Sequence, residues 1–140
     1  MKQEPIKVSI KLIYFIVKMS DNFLKIARKE IQEELDSIQQ ILIQCNNDAD
    51  IFSNAVNIEK HLHKIKGLAP MMGQEVVGQI AKTLDAVLKY IIEKGVLKNS
   101  YKILAYANQA MKEIFDGIHT KNVEETKKTF QEFFDDVVNH

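Results

Sequence analysis

The sequence predicts an all-α protein, an antiparallel up-and-down helical bundle with a four-helix core and a fifth, carboxyl-terminal helix. Three observations lead there. Apolar residues after Asp21 recur at steps of three and four, the spacing of one face of a helix. The breaks between these runs are short, roughly three to eight residues, and such connections fit antiparallel neighbours. No segment alternates apolar and polar residues as a strand does, apart from a short stretch at residues 7–11.

The first pattern covers about residues 22–43, with Phe23, Leu24, Ala27, Ile31, Leu35, Ile38 and Leu42 inward and Ser20, Asp21 or Asn22 as cap. Asn46-Asn47-Asp48 breaks it, and Asp48 or Asp50 caps the second, about residues 51–72. There Ala55, Ile58, Leu62, Ile65, Ala69 and Met72 form one stripe, Pro70 loosens the last turn and Gly73 ends it. The third, about residues 74–94, buries Val77, Ile80, Leu84, Val87, Leu88 and Ile91 and stops at Gly95. Ser100 caps a fourth carrying Ile103, Leu104, Ala107, Met111, Ile114, Phe115 and Ile118. The fifth, about residues 123–138, uses Val123, Phe130, Phe133, Phe134 and Val137. The aromatic residues as a group read as core.

At 140 residues the chain suits one domain with a real core. Hydrophobic residues make up 46% and charged residues 27%, an ordinary globular balance that argues against disorder. Lys+Arg and Asp+Glu both number 19, and a nucleic-acid binder would show a basic excess. Cys45 is the only cysteine, which excludes an intrachain disulfide and a cysteine zinc site and fits a reducing, cytoplasmic compartment. It reads as a small thiol at the core edge. Val8 to Val17 is mostly apolar, but ten residues fall short of the roughly twenty a membrane span needs. No signal-peptide cleavage site follows. Met19-Ser20-Asp21 reads as a second start followed by a cap. Residues 1–18 are therefore expected to be an appendage (a packing strand, a short helix or a translated upstream stretch) on a domain of residues 19–140.

The chemistry concentrates in His63-Lys64-Ile65-Lys66-Gly67-Leu68-Ala69-Pro70-Met71-Met72-Gly73. His63 lies one position past Leu62 and two before Ile65, about 100° and 200° around the helix from these core residues. It must face solvent or a groove. Gly67, four residues on, shares its face and leaves the imidazole uncovered, although a mid-helix glycine costs roughly 1 kcal/mol. Lys66 can bring an ammonium to the same ring and stabilise a phosphoryl charge. An imidazole with a reference pKa of about 6.5 offers an unprotonated nitrogen near neutral pH. Glu59, one turn before His63, is one candidate partner for the other ring nitrogen; a solvated surface acid is the plainer reading of it. His61 points elsewhere and reads as partly buried or a bystander, and His119 and His140 carry no pattern.

This stretch resembles the signature of histidine-containing phosphotransfer (HPt) domains, H-x-aliphatic-K-G-x-A-x-x-apolar-G, at all seven defined positions. The resemblance extends over about residues 22–118, through Phe23-Leu24 to Leu35-Asp36 and Leu84-Asp85-Ala86-Val87-Leu88. With its fifth helix the chain looks most like the amino-terminal phosphotransfer domain of the chemotaxis histidine kinase CheA. The resemblance implies that His63 accepts a phosphoryl group and passes it to a response-regulator receiver. It also implies that a carboxylate twenty-two residues later, here Asp85, orients the imidazole. That position is a Glu in the CheA-type domain, so the reach of Asp85 is one methylene shorter. Lys82, one turn before Asp85, adds positive charge. The expected partners are a histidine kinase and a receiver domain, with the exposed Lys60, Lys64 and Lys66 facing an acidic receiver pocket. The expected state is a monomer that needs no cofactor or metal. No G-x-x-x-x-G-K-S/T loop is present, so the kinase acts from elsewhere. Two alternatives stand beside this reading. A metal-binding bundle lacks its Glu-x-x-His pairs, since Leu62 follows Glu59 and neither Glu75 nor Glu113 has the histidine. A phosphorylation-inert helical adaptor would bind partners through the same groove.

Overall fold

A computed structural model describes residues 9–117 and 123–138. Five helices follow one another, and no strand occurs among the described residues: α1 (Ile10–Ile43), α2 (Asp48–Met71), α3 (Glu75–Lys94), α4 (Ser100–Phe115) and α5 (Val123–Val138). The most extensive packing joins α2 to α3; α1 lies on α2 and α4, α3 meets α4, and α5 rests on α4. One continuous core runs through the bundle, from Ile31, Leu35 and Ile38 across Ile58, Leu62 and Ile65 to Leu84, Leu88 and Leu104. Every expected inward residue of α3 is buried, as are those of α2 except Met72, which is half-buried against the core. Cys45 is buried at the core edge, its Sγ donating to the Ile41 carbonyl at 3.3 Å.

The largest departure from the sequence reading is at the start of α1. The helix begins at Ile10, capped by Ser9, whose Oγ accepts from the Leu12 amide at 3.1 Å; Ser20, Asp21 and Asn22 lie inside it. Ser, Asp and Asn cost only several tenths of a kcal/mol each within a helix, and no Gly or Pro interrupts residues 10–43. A cap-like triplet therefore does not stop a helix that apolar residues support on both sides. Phe23 and Leu24, expected inward, are 40% and 41% exposed. They keep the helical period, but no partner helix among the described residues reaches them; burial of α1 begins at Ala27. Tyr14, Phe15, Phe52 and Tyr90 are likewise exposed, so the aromatic residues are not uniformly core.

Two caps also differ. Asn47 caps α2, its Oδ1 accepting from the Asp50 amide at 2.9 Å. That frees Asp48 to reach α4, where its carboxylate accepts from the Asn99 and Tyr101 amides, each at 2.8 Å. Asn99, at φ 69°, occupies the α4 cap position, and Ser100 is the buried first residue of the helix. Gly78 allows the α2–α3 approach: a Cβ there would lie 2.8 Å from Pro70 Cγ, inside van der Waals contact with a rigid ring. In α4 and α5, Ile103, Leu104, Ala107, Met111, Phe115, Phe130 and Phe133 are buried, with Ile114 and Phe134 packed beside them. Ile118, His119 and His140 lie outside the described residues, as do the side chains of Val123 and Val137.

Candidate functional site

Leu62 and Ile65 are fully buried in α2, and this turns His63 outward with its side chain 62% exposed. One turn on, Gly67 leaves open space: an added Cβ would meet nothing within 4 Å. One turn back stands Glu59, half-buried. Across the α2–α3 seam Asp85 is 1% exposed, flanked in sequence by buried Leu84 and one turn from buried Leu88. The structure thus brings Glu59, His63 and Asp85 together, with one donor atom from each within 4.8 Å of the others.

Asp85 is the hub. Its Oδ2 accepts from Lys66 Nζ at 3.1 Å and pairs with Lys89 Nζ at 3.0 Å. His63 Nδ1 stands 3.9 Å from the same oxygen, about 1 Å beyond a hydrogen bond. The shortened carboxylate faces the ring but stops short of it. Lys66 is engaged with Asp85, beside the imidazole, rather than extended freely over it. Lys89, one helical turn after Asp85, went unnoticed in the sequence, although the i,i+4 spacing was a usable signal. Lys82 is exposed and lines an open groove of about 1000 Å³ that runs from Lys66 and Pro70 to Phe130 and Phe134.

Asp85 Oδ1 is buried and meets no hydrogen-bond donor among the described residues. Burial pushes the Glu59 carboxyl above its usual range, and its hydrogen bond with Asp85 raises it further. Burial also pushes Asp85 up, but hydrogen bonds from Lys89, Glu59 and Lys66 outweigh it and hold Asp85 below its usual range. The two carboxyls are thus pushed in opposite directions, Glu59 toward holding its proton and Asp85 toward giving it up. The same three side chains are the one cluster among the described residues with donors close enough for a metal ion. With two ammonium groups already on Asp85, the local charge suits an arriving anion better than a cation.

A second polar cluster lies on the neighbouring face. Glu34 of α1, 7% exposed, accepts from His61 Nδ1 and from Lys64 Nζ, the latter at 3.3 Å. This gives His61 a partner and a half-buried position, and it ties Lys64 to the bundle instead of leaving it free. Glu34 was missed because it occupies an inward position where the pattern led one to expect apolar residues.

Among the described residues, then, an all-α bundle exposes His63 above a buried carboxylate with cations around it. The chain matches the Hpt domain family over residues 22–119 and belongs to it. Nothing among the curated proteins or the solved structures matches the chain. Membership places the protein in two-component phosphorelay signalling, among phosphotransfer carriers that work with kinases and receiver domains. No helix among the described residues is long and apolar enough to cross a membrane.

Proposed function

We propose that His63 is the phospho-acceptor of a cytoplasmic phosphorelay, taking a phosphoryl group from a histidine kinase or a receiver aspartate and passing it to a response-regulator receiver. The domain is residues 19–140, with residues 1–18 an appendage. The observation that carries this reading is an imidazole whose Nδ1 is turned to a buried carboxylate while the space at Gly67 stays open. With Nδ1 protonated and facing Asp85, the Nε2 lone pair attacks phosphorus. The N–P bond forms as the donor's P–O bond breaks, and the positive charge that develops on the ring is held by Asp85. Lys66 and Lys89 balance the carboxylate and present a positive rim to the phosphoryl oxygens. The reverse steps deliver the group to an aspartate. The chain supplies no ATP-binding loop, so it acts as a carrier. Glu59 is the lesser partner, acting through Asp85.

The test is phosphorylation of the purified chain by a cognate kinase with ATP, or by a phosphorylated receiver. Acid-labile, base-stable label is expected on the native chain and none on His63→Gln. Label that survives in His63→Gln would overturn the assignment. The 3.9 Å gap between His63 and Asp85 favours one second reading, the phosphorylation-inert adaptor. That reading requires receiver binding with no label at all.

A further inference from the structure

Residues 10–26 of α1 project beyond the bundle without a partner. All are exposed, and the first buried residue of the helix is Ala27. Such a segment would normally be polar, yet it carries Ile10, Leu12, Ile13, Tyr14, Phe15 and Ile16 in its first two turns, from 48% to 85% exposed. Val17, Met19, Phe23, Leu24 and Ile26 follow, each at least 40% exposed. At 100° per residue these side chains, Ile10 and Tyr14 apart, sweep an apolar arc of roughly 200°, while Lys11, Lys18 and Lys25 repeat every seven residues along the opposite side. The arc continues the seam that Ala27, Ile31 and Ile38 bury inside the bundle. Within the bundle that seam is covered by α2 and α4; beyond it, no helix among the described residues covers it.

The exposed apolar area of these side chains is on the order of 1,000 Å², whereas the largest patch on a monomer is roughly 300–600 Å². A stable protein interface takes about 800 Å² from each partner, so the area matches one partner surface of the same kind. We propose that this projection pairs with its equivalent in a second copy of the chain, giving a two-fold homodimer. The surface is self-complementary in the sense such symmetry needs: one apolar arc to meet its own copy, one lysine stripe left to solvent. This gives the projecting part of α1 a role, and it stands against the expectation of a monomer. It stands independently of the phosphotransfer reading, because the residues around His63 lie on α2 and α3.

Sedimentation velocity on the full chain across a micromolar dilution series is the test, with vesicles of phosphatidylcholine and phosphatidylglycerol as a second arm. The native chain is expected at the mass of two protomers. Leu12→Glu with Ile16→Glu should weaken association by about a hundredfold or more, with the bundle's helicity in circular dichroism and the acceptance of label both retained. Ile13→Glu, on the other flank of the arc, should shift the equilibrium the same way, and Lys11→Glu with Lys18→Glu should leave the dimer in place. A native chain of one-protomer mass overturns the proposal, whether or not it co-sediments with the vesicles. So does an open-ended assembly, or a dimer that persists unchanged both in Leu12→Glu with Ile16→Glu and in Ile13→Glu.

Discussion

At position 67 stability and access pull in opposite directions. Alanine there would meet no neighbour, and by helix propensity it should stabilise the fold by up to about 1 kcal/mol. Yet its methyl would stand one turn from the imidazole, on the side from which a phosphoryl donor approaches in the proposed transfer. Gly67→Ala is expected to melt higher and to accept label about ten- to a hundredfold more slowly, checked by thermal unfolding and phosphotransfer kinetics on one preparation. The carboxyl pair behaves as two opposed titrations. Asp85, held low, contributes stability that is present above its unfolded value of about 3.9 and is lost as pH falls through its folded pKa. Glu59, held high, contributes stability that is present below about 4.3 and is lost as pH rises through its folded pKa. Asp85→Asn should therefore cost about 1–3 kcal/mol at neutral pH, with the deficit shrinking in acid. Glu59→Gln, which keeps a donor for Asp85 without a charge, should melt above the native chain at neutral pH and lose that advantage in acid. Urea unfolding from about pH 3 to pH 8 reads both slopes.

Among the elements, α4 depends most on a residue outside itself. Its cap position is Asn99 in a left-handed conformation with no side-chain cap of its own, and the exposed amides are met by Asp48 from the start of α2. Asp48→Ala should cost about 1–2 kcal/mol, measured by urea unfolding, because it strips two amides of their acceptor. No spacing rule in the sequence reveals this contact, since Asp48 and Asn99 lie far apart and Asp48 also resembles a cap for its own helix. The helix faces were more legible. Ala55, Ile58, Leu62, Ile65 and Ala69 could be placed inward because burial of a helix follows its 3.6-residue period. Phe23 and Leu24 obey the same period and stay exposed, because periodicity names a face without saying where its partner ends. The site divided along the same line. His63, Lys66 and Gly67 were readable within one helix, whereas the 3.9 Å gap to Asp85 and the place of Lys89 on that carboxylate depend on how α3 packs on α2.

At the scale of the whole molecule, stability is centred on the α2–α3 pair, which shares the most extensive packing and is drawn close at Gly78 and Pro70. Native-state hydrogen exchange should find the slowest amides around Leu62, Ile65, Leu84 and Leu88, with α5, whose packing on the bundle is the least extensive, opening at lower cost. The phosphotransfer surface would then sit on the most rigid part of the bundle, and a receiver would meet a preformed face. Cys45 adds a practical consequence. It is the chain's only thiol, it is buried, and burial followed by the nearby Asp50 charge pushes its ionisation upward, so little thiolate is available at neutral pH. The native protein therefore offers a silent background for thiol chemistry. A single cysteine introduced at Lys60 or Lys82 would take a fluorophore while Cys45 stays unlabelled, turning the face around His63 into its own reporter of receiver docking.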